Sequence, residues 1–487
     1  MEMKITNEQQ NELDYFDGEL IHPSLDFKND ILTLGFRYRS KTQEEKDLFV
    51  ITHKKALWLC HSDSFTVEEC TYHIEKRKRK LIRIEEKWSV TALQKFIKDY
   101  VNLKCTPDLQ KTFQHITDIV RRYIELEQDI DYLLLAAWII GTYFSPLFYA
   151  FPFLHLKAPK RSGKSQCLNL LTKLCFNAIK ARPSLPALSD TVDSLRGTYL
   201  IDQADALHQK GKEELLDILA DSYKQGGGKR RVLNITQKGG RETLEFETYG
   251  PKAFASIKEL PEDLRDRCLV VPLIRSQKNF PDPDDSYENW REVRGEIYQI
   301  QLTGYQDIAM SYQFKKITYR QNPQEISGRT LELWLPFEVV LECCGVKERV
   351  VEAKKRFLTQ YGFSEYEPSE LEEAVIKIIA DKLQDQAEII LTPKMISELI
   401  DSEMFSPIDS PKQKASKVGW AIKKFNMSSE KMPRTKEGVR YKFEKGKLEG
   451  VYQSYFKTKE DPALLTPAPS DGLNAQQNEV QNSNVDF

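Results

Sequence analysis

Phe151-Pro-Phe-Leu-His-Leu-Lys157 runs into Ala158-Pro-Lys-Arg-Ser-Gly-Lys-Ser165 and then into Gln166-Cys-Leu-Asn-Leu-Leu-Thr-Lys-Leu174. The first stretch reads as a buried strand and the last as an amphipathic helix, with a basic loop between them that ends in Gly-Lys-Ser. A strand, a loop and a helix N-terminus in that order make an anion site. The first-turn N–H groups have no partner inside the helix and present positive partial charge. Lys164 is expected to reach the outer phosphates of a nucleoside triphosphate, and the Ser165 hydroxyl to hold Mg²⁺. Ala158, Pro159, Lys160, Arg161, Ser162, Gly163 and Gln166 complete the candidate binding loop. Ala158 and Arg161 stand where such loops often carry Gly, so a left-handed backbone at either would be strained. The bland alternative is a surface loop that is merely basic.

Downstream, Gly197-Thr-Tyr-Leu-Ile-Asp202 is an apolar strand closing on an acid, followed by Gln203-Ala204-Asp205. The separation from Lys164 leaves room for one helix and one crossover, which suits Asp202 as an Mg²⁺-binding acid. The residue after it, which would polarise an attacking water, is Gln203. Glutamine orients water but takes no proton, so slow hydrolysis, or help from Asp205, is expected. Lys229–Gln237 and Arg241–Thr248 alternate as strands around Lys238-Gly239-Gly240, a hairpin with a basic tip. Lys238 and Arg241 would grip a phosphate backbone, or else keep an edge hairpin soluble. Lys252-Ala-Phe-Ala-Ser-Ile257 is a third strand, with Ser256 a candidate polar sensor. In Leu260-Pro-Glu-Asp-Leu-Arg265-Asp-Arg267-Cys an arginine could enter a neighbouring subunit's site, or be held by a structural ion pair.

The 487 residues allow roughly three domains. Net charge is −2, but it is unevenly spread: Lys412–Lys447 holds twelve Lys/Arg against three Glu. The eight cysteines include no CxxC pair and read as reduced thiols of a cytoplasmic protein. No charged-then-apolar leader opens the chain, and the apolar run Tyr132–Phe153 is interrupted by Gly141, Pro146 and Pro152. No membrane partner is expected. Lys76-Arg-Lys-Arg-Lys80 is a basic turn or a solvated loop, and the His and Cys residues between His53 and His73 fit no compact zinc spacing.

The whole series resembles an AAA+ ATPase, carried by APKRSGKSQ, TYLIDQAD, the hairpin, YGPKAFASI and LPEDLRDRCLVV. More narrowly it is similar to the MCM-like replicative helicases of mobile genetic elements and phages. That resemblance covers about residues 120–345. It implies ATP and Mg²⁺ as cofactors, a ring oligomer such as a hexamer, and single-stranded DNA in its channel. It also implies Lys164 and Ser165 as the Walker A pair, Asp202 as the Walker B acid and Lys238 as the hairpin-tip DNA contact. Ser256 would be the first sensor, Arg267 the arginine finger, and Arg329, in Ser327-Gly-Arg-Thr-Leu-Glu-Leu-Trp334, the second sensor. Gln203 departs from the family's Glu.

The expected architecture is α/β: an α+β N-terminal domain (1–108), a P-loop core (109–278), a helical lid (279–366), a winged helix (367–456) and a disordered tail (457–487). In the winged helix, Thr392-Pro and Ser410-Pro start helices with a cap and a proline at the first position. Ala415, Val418, Ile422 and Phe425 share one face of the third helix, with Lys412, Lys417, Lys423 and Lys424 toward the other. A basic hairpin follows, with Arg434, Lys436, Arg440 and Lys442. This plan suits contact with duplex DNA through its phosphates, or a protein-binding winged helix. The expected function is an ATP-dependent DNA motor, a helicase. The alternatives are a replication initiator that uses nucleotide as a switch, or a P-loop regulator of protein partners.

Overall fold

The computed structural model describes residues 18–75, 81–102, 106–158, 162–182, 184–235, 241–276, 278–284, 288–322, 326–362, 369–383, 386–406, 409–425, 427–435 and 438–449. The chain divides into two units, Met1–Gly362 and Phe363–Phe487.

The first unit opens with β1 (Glu19–Ile21), β2 (Leu25–Lys28), β3 (Ile31–Arg39), β4 (Glu45–His53), β5 (Ala56–Cys60), β6 (Ser64–Val67) and β7 (Cys70–Ile74). They form a four-stranded antiparallel sheet, β2-β3-β4-β5, and a three-stranded sheet, β1-β7-β6. Alternation along β3 and β4 sends side chains to two different cores. Ile31, Phe49 and Ile51 join Ile21, Tyr72 and Ile74 in a private cluster. Leu32, Leu34, Phe36, Leu48 and Val50 face the other way and belong to the main core. Helices α1 (Ile84–Lys87) and α2 (Val90–Val101) follow, and Ser89 caps α2 by accepting from the Ala92 amide.

Helix α3 (Leu109–Tyr123) is capped by Asp108, and α4 (Asp129–Gly141) is buried all round, as its apolar run requires. Then come β8 (Phe153–Lys157), α5 (Lys164–Leu174), β9 (Ile179–Ala181), α6 (Leu185–Leu195), β10 (Tyr199–Ile201), α7 (Glu213–Asp221), β11 (Arg230–Ile235), β12 (Arg241–Phe246), β13 (Lys252–Ser256), α8 (Glu262–Arg265) and β14 (Cys268–Pro272). Five of these strands make one sheet, ordered β14-β8-β13-β10-β9. Every neighbouring pair in it is parallel. Among the described residues, strands β11 and β12 pair only with each other, antiparallel. Among the described residues no helix is long and apolar enough to cross a membrane.

Helices α9 (Trp290–Gln321), α10 (Gly328–Cys343) and α11 (Val350–Gly362) complete the unit. Helix α9 binds the segments together. Its Tyr298 stacks on Trp88 with centroids 5.5 Å apart and meets Phe36 edge-on at 5.6 Å. The Tyr305 hydroxyl donates to the carbonyls of Asp30 (2.8 Å) and Thr52 (3.1 Å). Arg294 is buried, and its guanidinium donates to the carbonyls of Glu86, Lys87 and Lys173. The sequence boundaries at 108 and 278 therefore do not separate cores: side chains from both sides of each share one hydrophobic cluster.

The second unit holds α12 (Glu370–Leu383), β15 (Glu388–Leu391), α13 (Pro393–Leu399), α14 (Pro411–Lys424), β16 (Glu430–Thr435) and β17 (Gly438–Glu444). Its sheet is antiparallel, ordered β15-β17-β16. Strand β15 was not evident in the sequence, because its four residues gain strand character only by pairing with β17. Thr392 and Ser410 cap α13 and α14, the latter in a capping box with Gln413. Val375, Ile379, Ile396, Val418, Ile422, Phe425 and Phe443 lie in a core of its own. The tail from 457 lies outside the described residues.

Trp88→Ala should cost the first unit about 3–5 kcal/mol, as for a large buried aromatic. In calorimetry it should depress that unit's transition and leave the second unit's unchanged. An unshifted first transition would mean that the stack on Tyr298 does not join the two segments.

Candidate functional site

Parallel strands all end at one edge, and that edge collects the expected nucleotide residues. At the end of β8 the Ala158 amide donates to the Ser256 carbonyl (3.3 Å), and at the end of β10 the Asp202 amide donates to the Ala181 carbonyl (3.3 Å). Gly163 takes a left-handed conformation (φ 78°) as the cap of α5, and open space surrounds the position of a Cβ there. The Lys164 ammonium reaches back over the loop to the Ala158 carbonyl at 2.5 Å. Burial lowers its pKa, while the charges of Asp205 and Asp202 offset part of that fall. Ser165 is exposed at the first turn of α5. The Ser162 hydroxyl is buried and has no hydrogen-bond partner among the described residues. An orphaned hydroxyl, an ammonium and a helix N-terminus are a donor set that suits phosphate oxygens. Pro159, Lys160 and Arg161 lie outside the described residues.

Other residues near this edge have partners of their own. The Gln166 side chain turns to the carbonyls of Tyr123 (2.9 Å) and Pro281 (2.8 Å), tying α5 to its surroundings. Asp202 lies 3.6 Å from the Lys180 ammonium. Gln203 is exposed and sits in the left-handed region (φ 55°), unusual for a residue with a long side chain, and its amide donates to the Asp202 carboxylate. The Asp205 carboxylate accepts from the amides of Ile257 and Lys258. Burial raises its pKa, but those amides outweigh it and hold the carboxyl below its ordinary value. Asp205 thus fixes the loop after β13. Ser256 is buried, and its hydroxyl donates to the Lys258 carbonyl (2.6 Å) and meets His155 Nε2 at 2.7 Å. It is engaged inside the sheet rather than presented to the loop.

The arginine turn lies at the opposite edge. The Arg267 carbonyl accepts from the amide of Phe153, the first residue of β8. The five-residue strand β8 therefore separates Arg267 from the loop that begins at Ala158 of its own chain, about 16 Å at the usual strand rise. Arg267 is buried, donates to the Asp263 carbonyl and lies over the Tyr223 ring. Arg265, two residues earlier, is half-exposed. Arg329 is exposed at the start of α10 and acts on the same turn, where burial raises the Asp266 carboxyl and Arg265 and Arg329 offset part of that rise.

The hairpin presents residues exposed or half-exposed along the whole of β12, with Arg241 exposed at its start. Lys238 and Lys436, and the side chains of Lys424 and Arg434, lie outside the described residues. In the second unit Lys412, Lys417 and Lys423 are exposed on α14, and Lys417 pairs with Asp409. Arg440 is half-buried on β17.

No family model matches this chain, and no curated protein matches it. Among solved structures it is similar to a full-length MCM homolog from Methanopyrus kandleri, at 11% identity over 68% of this chain and 77% of that one, with a TM-score of 0.33. It is also similar to the NrS-1 C-terminal region (10%; 84% and 95%; TM-score 0.32) and to JCV helicase with a bound phenoxyphenylacetamide (14%; 56% and 74%; TM-score 0.20). At such distances these likenesses assign neither fold nor function.

His155 lies beneath this edge, buried and bonded to Ser256. A histidine between two leucines in a fully buried strand was its signal in the sequence. Burial drives its pKa down to about 4 from 6.5, so the folded protein keeps it neutral where the unfolded chain takes up a proton. Stability from this group is present above pH 6.5 and is lost as pH falls toward 4. Between about pH 6.5 and 5 the loss should be about 1.5 kcal/mol. His155→Leu should flatten the urea-measured stability profile over that interval; an unchanged slope would show that His155 does not carry it.

Proposed function

We propose that this chain is a subunit of an ATP-dependent DNA motor, an AAA+ ring that acts as a replicative helicase of a mobile element. The reading is carried by one observation: Lys164, Ser165 and Asp202 follow the ends of the parallel strands β8 and β10, while the Arg265–Arg267 turn is bonded to the start of β8. A head-to-tail ring brings one copy's arginine edge to the next copy's phosphate edge, and a heterologous contact that closes makes such a ring. In this reading Ser162, Lys164 and the amides of 163–165 hold the phosphates, and Ser165 and Asp202 hold Mg²⁺. The ion would supply charge neutralisation on the phosphates. Arg267 must leave the Asp263 carbonyl to reach a neighbour, or the half-exposed Arg265 reaches instead. Helices α9 to α11 form the lid. Lys238 and Arg241 on the hairpin contact DNA in the channel, and the second unit is a winged helix, in keeping with its element order and its β15-β17-β16 sheet.

Self-association has separate support on α9. Met310, Phe314 and Ile317, spaced i, i+4, i+7, are 64%, 68% and 55% exposed on one face. Replacing all three with Ser should lower the mass of the ATP-bound assembly in sedimentation without shifting the thermal transition. An unchanged mass would remove the stripe from the interface.

A second reading, a nucleotide switch that hardly hydrolyses, is favoured by Gln203 and by the commitment of Asp205 to backbone amides. DNA-stimulated ATP turnover decides between them. Lys164→Ala should abolish turnover, and Gln203→Glu should raise it tenfold or more if the missing carboxylate limits it. Mixing Lys164→Ala with Arg267→Ala, and separately with Arg265→Ala, should restore part of the activity for the arginine that works across subunits. No turnover with DNA present would rule out the motor.

A further inference from the structure

Arg267 carries its charge in a buried position, and its Nε has no hydrogen-bond partner among the described residues. An unmet buried donor costs free energy, so a guanidinium held this way is poised to move. The Asp263 carbonyl accepts from it, and the Tyr223 ring lies against it, with the ring centroid 5.3 Å from the guanidinium carbon. Tyr223 is tied at both ends. Its carbonyl accepts from the Phe151 amide (2.7 Å), beside a bond from the Gln225 amide to the Tyr149 carbonyl (2.8 Å), so its backbone is pinned to the segment before β8. Its hydroxyl, at the far end of a buried ring, donates to the Glu332 carboxylate of α10 at 3.4 Å. That is long for an O–H···O bond, which parts at small cost.

Glu332 sits where α10 is least regular. Pro336, four residues on, has no N–H for the Glu332 carbonyl, so the helix ladder is broken at this turn. Beyond the break, Glu338 is buried and accepts from Lys315 (2.6 Å) and Tyr319 (2.8 Å) of α9, which anchors the rest of the helix. The turn that carries Arg329 and Glu332 can therefore tilt on the proline while the remainder stays packed.

We propose that Tyr223 is a positioning residue that keeps Arg267 folded inward, and that a tilt of the first turn of α10 releases the arginine through Glu332. The inference rests on the reading that Arg267 acts on a neighbouring copy's nucleotide, and it adds the condition under which the arginine does so. While Glu332 holds the hydroxyl, the ring stays against the guanidinium and the arginine is retracted. Once that turn moves away, the ring is held only at its backbone end, and a cation–π contact weakens as the ring leaves the cation. The exposed Arg329 stands one turn before Glu332 on the same side of α10, so an anion that draws Arg329 outward pulls on the same bond. A neighbour's bound nucleotide is such an anion. The arginine is then offered when there is a phosphate to meet it.

The test reads the exposure of Arg267 in the full chain without nucleotide, as its rate of modification by phenylglyoxal, with Arg265 and Arg329 as references in the same mass spectra. Arg267 should react the slowest of these. Tyr223→Phe and Glu332→Ala both remove the hydroxyl bond, and each should speed modification of Arg267 about threefold with the reference arginines unchanged. Together they should do no more than either alone, because they remove the same contact. Tyr223→Leu, which removes the ring, should speed it about tenfold. Pro336→Ala, which restores the ladder bond, should slow it. In DNA-stimulated turnover, Glu332→Ala should raise kcat about threefold with the KM for ATP unchanged, and should do nothing in a chain that already carries Arg267→Ala. Unchanged labelling in both Tyr223→Phe and Glu332→Ala, additive effects, or equal acceleration of all these arginines would each overturn the proposal. Full turnover by Arg267→Ala would instead overturn the reading that Arg267 works across subunits, whatever the labelling shows.

Discussion

Strand β8 is paired on both edges, to β13 and to β14, and all but its last residue is buried. Its register is fixed twice over, with Lys157 opposite Ser256 on one side and Pro272 on the other. A buried parallel strand held this way cannot slip by one residue without turning its side chains to the wrong faces. The loop before α5 starts where β8 ends, and the arginine turn is bonded to the residue where β8 begins. The strand thus acts as a rigid spacer between the loop before Lys164 and the turn that carries Arg265 and Arg267. Within one chain the two segments therefore stand at opposite ends of β8.

Buried polar groups set the details around that spacer. His155 and Ser256 link β8 to β13 beneath the loop. Lys252, at the start of β13, is fully buried, and its amine, pushed down to about 7 by burial, donates to the carbonyls of Thr248 (2.7 Å) and Gly250 (3.0 Å). The Thr248 hydroxyl donates to the Gly228 carbonyl (2.6 Å), and the Asp193 carboxylate accepts from the Glu247 amide (2.8 Å). These bonds gather at the root of the β11–β12 hairpin, whose strands pair only with each other among the described residues. A projecting hairpin with few apolar contacts is held by its root, and here the root is satisfied by donors within the core.

Much of this was legible in the residues. The strand–loop–helix around Gly163, the apolar strand before Asp202, the hairpin and the Ser and Thr caps before Pro393 and Pro411 are local signals, each set within a few positions. The roles of Ser256, Gln166 and Asp205 were not legible, because each depends on a partner distant in sequence or on a turn of the side chain. Ser256 bonds His155, far back in the chain, and Gln166 reaches Tyr123 and Pro281. The first 108 residues read as a separate domain, since period-two alternation identifies strands but not which of two cores each face fills.

The sequence by itself determined that a basic loop sits between a buried strand and a helix, that an acid closes a second strand, and that Gln203 follows that acid. Those statements follow from residue type and spacing along one backbone. Tertiary structure decided that Lys164 and Asp202 share an edge, and that Arg267 lies at the other and is folded over Tyr223. The reason is physical: strand order and burial are properties of the packed sheet and core, set by long-range pairing that no local pattern encodes.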